Sequence, residues 1–204
     1  MALRNHALDE AILDAARDEF LLHGFEAASL RKIAASAGVT IGAIHTRYPT
    51  KNQLFGALVQ PLIDRIGKAF ELLRSSYAGV TDPAGLLRSM ELESDTILEL
   101  LFDCYDQAVL LLCRSRGSSL EPFWDELIRR KTDETISFFR AAGLPHPDEQ
   151  VLRMMVEGQF HSYFQIIREG YDLPTAKTLM TAAVRYHTAG WMAILQMDSE
   201  ESGR

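Results

Sequence analysis

The sequence predicts an all-α protein built in two parts, and three observations carry that expectation. The stretch Ser29 to Lys51, SLRKIAASAGVTIGAIHTRYPTK, reads as two short helices joined at a glycine corner. Beyond it, apolar residues recur at three- and four-residue spacing along segments of helical length. One clear linker, Ser75 to Pro83, gathers small and turn-forming residues. The parts expected are a three-helix head, residues 1–50, and a helical body, residues 51–204.

The first helix lies in ILDAARDEFLLHGFEAAS, with Ile12, Ala15, Ala16 and Phe20 turned inward and Gly24 at its end. Ser29 is a suitable N-cap for the next, in which Leu30, Ile33 and Ala34 share a face. Gly38 ends that helix with the residue best able to take a left-handed conformation. Thr40 caps a second short helix running to about Tyr48, and Pro49 closes it. Ala34 is small where the two helices approach, and Val39 and Ile44 seal the angle between them. Taken alone, the stretch fits an ordinary helical corner. It also fits a helix-turn-helix, whose second helix can lie in a DNA major groove.

The flanks change that balance. Residues 8–66 together closely resemble the N-terminal domain of TetR-family (tetracycline-repressor-like) regulators. The resemblance is carried by Ala15-Ala16, Phe20, Gly24-Phe25, Ser29, Ile33-Ala34, Ala37-Gly38-Val39-Thr40, Gly42, Ile44, Tyr48, Pro49, Lys51 and Leu54-Phe55. It covers about the first third of the chain and thins beyond to helix number and length. It implies a helix-turn-helix DNA-binding domain followed by a helical effector-binding and dimerisation domain.

The resemblance also implies contact residues. Thr40 should hold phosphate with its hydroxyl and backbone N–H at the positive end of the helix. Ile41, Gly42, Ala43 and His45 match base-touching positions, while Ser29, Thr46 and Lys51 match phosphate positions. Arg31 and Lys32 add backbone contacts. Ile41 stands where a polar or basic residue is common, which suits a thymine methyl. His45 replaces the usual Tyr and is expected to donate to a phosphate or base acceptor. Thr46 replaces a larger polar residue. With no Asn, Gln or base-reading Arg in the set, DNA shape should carry much of the recognition.

Charge agrees with this placement. The chain carries a formal net charge of −7, yet residues 29–51 hold four basic side chains and no acidic one. Positive potential is thus confined to the face where phosphate neutralisation needs it. The 47% hydrophobic and 24% charged fractions are those of an ordinary globular chain. MALRNHALDE lacks an apolar signal core, and no run approaches a membrane span, so a cytoplasmic protein is expected.

In the body, a long helix from Thr50 to about Ser75 carries Leu54, Leu58, Leu62, Ile66, Phe70 and Leu73, with Pro61 as a possible kink. After the linker, a short helix from Pro83 to about Ser89 precedes a central helix from about Glu93 to Ser115. Asp103 and Asp106 interrupt that apolar helix on one face. Either they meet a cationic effector in a cavity, or they reach solvent or basic neighbours. Cys104 and Cys113 fall about 13–14 Å apart along the same helix, too far to bridge, and read as buried free thiols. Gly117-Ser118-Ser119 breaks the chain before an amphipathic helix from Leu120 to Ala142, which Gly143 to Pro147 stops.

Two final helices, about 148–169 and 174–196, present small and aromatic positions that suit either an intramolecular hairpin or a dimer four-helix bundle. TetR relatives dimerise this way, which nominates Met155, Gly158, Tyr186, Gly190, Trp191 and Ile194 as interface residues. The tail DSEESGR is polar and expected to fray. Candidate effector-pocket residues are Phe102, Asp103, Asp106, Trp124, Phe160, His161 and Phe164, chosen for polar or aromatic character on body helices.

No nucleophile elbow, phosphate-cradling glycine loop, HExxH or paired CxxC motif appears. The six histidines include no pair at a spacing of three or four, though His161 and His187 can meet across the last helices. No catalytic residue, metal site or cofactor is expected. The resulting expectation is a homodimeric repressor that binds pseudo-palindromic operator DNA and is released by a cationic or lipophilic small molecule. A DNA-binding module without an effector, or a helical enzyme on the same fold, are the alternatives.

Overall fold

The computed structural model describes residues 2–77, 83–142 and 148–201, with side chains within 6–77, 84–140 and 148–193. Among the described residues all regular structure is helical. In chain order it comprises α1 (Ala2–Ala27), α2 (Leu30–Ser36), α3 (Ile41–Arg47), α4 (Lys51–Leu73), α5 (Pro83–Asp103), α6 (Tyr105–Cys113), α7 (Phe123–Ala142), α8 (Glu149–Glu169) and α9 (Leu173–Glu201), with a 3-10 turn at Arg74–Tyr77 after α4. No described helix is long and apolar enough to cross a membrane.

The chain divides into two compact units, the first Met1–Ile66 with Leu101–Pro122, the second Gly67–Leu100 with Phe123–Arg204. The first unit extends through most of α4 and takes in α6, which packs on α1.

The first unit is built around a buried aromatic trio. Phe20 and Phe25 each meet Phe55 edge-on, at 5.1 and 5.3 Å between ring centroids. Ile12, Ile33, Ile44, Leu54 and Leu62 of the same unit are fully buried. Each such side chain removes enough apolar surface from water to contribute about 1.5–3 kcal/mol. Gly24 interrupts α1 with φ 72° and ψ 167°, a conformation open to glycine. The turn swings Phe25 into the trio, and its N–H donates to Arg114 O at 2.8 Å.

The second unit packs α7 on α8 and α8 on α9. Its core includes Leu98, Leu127, Ile128, Leu152, Phe160, Tyr163, Val184 and Trp191. Gly170 ends α8 in the left-handed conformation, and Asp172 Oδ1 accepts from Thr175 N at 2.9 Å to open α9.

Several boundaries differ from expectation. The short helix and the central helix are one element, α5, because nothing between Ser89 and Glu93 breaks the helical register. That helix ends instead at Cys104, whose backbone (φ −121°, ψ 44°) separates α5 from α6 without a glycine or proline. Cys104 and Cys113 therefore do not share a helix, and both thiols are half-buried, not buried. α7 starts at Phe123, since turns occupy residues 119–122. The backbone of α9 is helical to Glu201, beyond the expected end and into the tail. Linker residues 78–82 and the helix stop at 143–147 lie outside the described residues.

Candidate nucleic-acid interface

The helix-turn-helix forms at the expected place, but its start is capped differently. Ser29 is extended (φ −112°, ψ 117°), and its hydroxyl caps nothing. Its backbone N–H donates to Glu19 Oε1 of α1 at 3.0 Å. The Glu19 side chain is 11% exposed, with its other oxygen 3.7 Å from His23 Nε2. A carboxylate on α1 thus satisfies one of the orphan donors of α2. Gly38 makes the corner at φ 67°, and Val39 N closes it on Ala34 O at 2.9 Å. Thr40 then opens α3, its Oγ1 accepting from Ala43 N at 3.1 Å.

Ile44 anchors α3 to the core, fully buried, and the helix turns its other faces outward. Gly42, His45 and Thr46 are exposed, and Ile41 and Ala43 half-exposed. Thr46 donates its hydroxyl to Gly42 O at 2.8 Å, so the oxygen lone pairs face outward while the proton is used. His45 Nδ1 lies 3.2 Å from Pro49 O. A carbonyl only accepts, so Nδ1 carries the proton, and Nε2 of the neutral ring is an acceptor. The expected donor role of His45 toward DNA holds for the protonated ring alone.

The four basic residues of the stretch separate into two pairs. Arg31 and Lys32 on α2 are exposed. Arg47 forms an ion pair through Nε with Asp9 of α1, and its Nη1 donates to Ala43 O at 3.4 Å. Burial, and next the Asp9 charge, raise the Tyr48 hydroxyl above its usual pKa. Lys51 donates to Glu26 O and Ala28 O, both at 3.1 Å, and stands over the Phe25 ring at 4.7 Å. Its ammonium holds the end of α1, leaving one donor for a phosphate. Sequence reasoning missed Asp9 and Glu19. They sit far from the motif and act on an arginine and on a backbone group.

The body candidates fall in both units. Phe102, Asp103 and Asp106 belong to the first unit, and Trp124, Phe160, His161 and Phe164 to the second. Both aspartates are exposed and paired, Asp103 with Arg65 at 3.0 Å and Asp106 with Arg17 at 3.7 Å. Of the two readings left open by the sequence, the structure shows the one in which they reach solvent and basic neighbours, here Arg65 of α4 and Arg17 of α1. Phe102 packs on Tyr105, Trp124 meets Phe160 edge-on at 5.7 Å, and His161 lies beside Phe164. Among the interface candidates, Tyr186 is exposed, Gly158 is exposed, and Met155 and Gly190 are half-buried. Trp191 is instead buried against Phe139 in its own unit. The Ile194 side chain lies outside the described residues. No group of His, Cys, Asp and Glu among the described residues could hold a metal ion.

A glycine-cornered helix pair with an exposed second helix defines a helix-turn-helix fold of the DNA-binding class. The family model for bacterial regulatory proteins of the tetR family matches residues 12–58. The head is a TetR-family helix-turn-helix domain. The fold as a whole is similar to solved regulators of that family. A TetR-like transcriptional regulator from Rhodococcus sp. RHA1 aligns with a TM-score of 0.63 at 18% identity, covering 90% of this chain and 96% of that one. A TetR-family member from Streptomyces coelicolor A3 aligns at 0.61 and 19%, covering 88% and 90%. The regulator FadR from Bacillus subtilis, solved in complex with stearoyl-CoA, aligns at 0.60 and 19%, covering 89% and 98%. No curated protein matches the chain in sequence.

Proposed function

We propose that this chain is a cytoplasmic transcriptional repressor that binds pseudo-palindromic duplex DNA as a homodimer and is released by a small molecule held in its body. The observation that carries the reading is α3, whose Ile44 is buried while Ile41, Gly42, Ala43 and His45 remain accessible to a groove. Small residues let the backbone come close, and Ser29, Arg31, Lys32, Thr40 and the remaining donor of Lys51 can donate to phosphates, while Thr46 does so only by giving up its bond to Gly42 O.

A dimer is supported by apolar surface on the last two helices. Val151, Met154, Leu179 and Tyr186 are exposed, at 39, 73, 43 and 76%. Along α8, Val151, Met154, Met155 and Gly158 recur at helical spacing, and along α9 so do Leu179, Ala183, Tyr186 and Gly190. Symmetric pairing of these faces would present two heads to two half-sites one helical turn apart. A ligand response is supported by the stearoyl-CoA complex of the Bacillus subtilis neighbour. A ligand that binds more tightly to a conformation with wrongly spaced heads would oppose DNA binding by linkage. No enzymatic activity is proposed.

Selection of bound duplexes from a random pool tests the core of this reading. Enrichment of an inverted repeat is the expected result. Absence of any enriched sequence would reject sequence-specific DNA binding, and a single non-repeated half-site would reject the symmetric dimer.

A further inference from the structure

The loop after α6, Arg114-Ser115-Arg116-Gly117-Ser118-Ser119, comes late in the chain yet belongs to the first unit, with the helix-turn-helix. It is fastened to the two elements that Lys51 ties together. Arg114 O accepts from Phe25 N near the end of α1 at 2.8 Å. Ser119 N donates to Asn52 Oδ1 at the start of α4 at 2.7 Å. Between these anchors Gly117 takes φ 80°, and a Cβ built there would lie 3.6 Å from Glu26 Cβ. The carbonyl of Glu26 in turn accepts from Lys51 Nζ at 3.1 Å. Ser115 and Ser118 are buried, and Glu121 Oε2 accepts from Gly117 N at 2.8 Å, so the loop has a fixed shape.

Arg114 and Arg116 project from this loop. Both are exposed, and neither pairs with a described carboxylate, although Glu26 and Glu121 border the loop. Arg17, Arg47 and Arg65 of the same unit are each paired with an aspartate. We propose that Arg114 and Arg116 are further DNA contacts of the head, gripping backbone phosphates beside the one held by Lys51 and beyond those met by α2 and α3. The proposal rests on the DNA-binding reading above and extends its interface to a loop outside the helix-turn-helix. A guanidinium is always charged, and its parallel N–H groups match two phosphate oxygens. The anchored backbone leaves only side-chain freedom to be lost on binding. Phosphate contacts carry no base information, so these two should add affinity on every sequence.

Binding of the full chain to a random-sequence duplex, measured against salt concentration, tests the assignment without knowledge of the operator. Arg114→Ala/Arg116→Ala should lower the salt slope by about one for each arginine lost per head. Near 0.15 M salt, binding should weaken about fivefold per contact. Arg114→Lys/Arg116→Lys keeps both charges and should keep the slope. Both variants should melt with the parent, because neither arginine side chain bonds to the protein. Hydroxyl-radical footprinting at saturating protein supplies position. On a duplex carrying the selected inverted repeat, the parent should protect sugars flanking the repeat that the alanine variant leaves open, with protection inside the repeat common to both. An unchanged salt slope, or an alanine-variant footprint identical to that of the parent, overturns the proposal. An unchanged slope with loss of binding to a polyglutamate probe assigns the arginines to an acidic protein partner instead. A parent that binds no duplex rejects the DNA-binding reading, and this proposal with it.

Discussion

Glu19 of α1 caps α2 through the backbone N–H of Ser29, 3.0 Å from its Oε1, in place of the Ser29 hydroxyl. The contact ties the helix-turn-helix to the preceding helix and leaves the serine hydroxyl unused by the cap. Glu19→Leu should therefore cost about 1–2 kcal/mol of stability, the usual range for a lost N-cap. Glu19→Gln, which keeps an accepting oxygen, should cost less. Hydrogen exchange should show faster opening at the start of α2 in the leucine variant, with operator affinity falling alongside. Equal melting temperatures for Glu19→Leu and the parent would remove the cap.

The basic residues of the head should divide by what their charges already touch. Lys51 holds two carbonyls and the Phe25 face. Lys51→Met should lower the melting temperature as well as DNA affinity, at about 1–2 kcal/mol of stability. Arg31→Ala and Lys32→Ala remove exposed charges. Each should leave the melting temperature unchanged and reduce the salt slope of binding by about one phosphate contact. His45→Ala should alter preference among operators more than non-specific affinity. A parallel loss across all four variants would contradict this division.

How much of this was legible in the sequence follows from the range of each interaction. Gly38, Thr40 and Ile44 act within a few residues, so spacing alone placed the corner, the cap and the anchor. Glu19 caps a residue ten positions away through a backbone group, and a backbone group leaves no mark on a sequence. The ion-paired Glu93 and Lys131 are separated by 38 positions and an intervening helix, and nothing in either segment announces the other. Asp103 and Asp106 stayed undecided between a cavity and basic neighbours because an apolar run shows that a helix is mostly buried, not which side is. The neighbours that decide it, Arg65 and Arg17, come from other helices.

His187 supplies an acid-sensitivity test. It is half-buried on α9, and burial lowers its pKa below the usual histidine value. An unfolded histidine takes up a proton near pH 6.5, whereas the folded one resists until lower pH. The unfolded state thus binds more protons in that window. The stability associated with neutral His187 is complete above about pH 6.5 and is lost as pH falls toward the folded value. His187→Gln should flatten the fall in melting temperature between about pH 7.5 and 5.5. A steeper fall in the variant would reverse the sign and reject the burial argument.

Gly190 separates folding from assembly. A Cβ built there meets nothing within 4 Å, so the protomer has room for a side chain. Gly190→Leu also replaces a poor helix former, which favours the isolated helix by roughly 0.8 kcal/mol. The folded protomer should therefore melt no lower than the parent when both are monomeric at high dilution. If α9 faces a second copy across close-packed small residues, the leucine occupies the space its partner needs. Sedimentation at micromolar concentration should then show weakened self-association, and operator affinity should fall because one head makes half of the contacts. A Gly190→Leu protein that stays dimeric places the interface elsewhere on the body, and Tyr186, 76% exposed on the same face, would lose its proposed role with it.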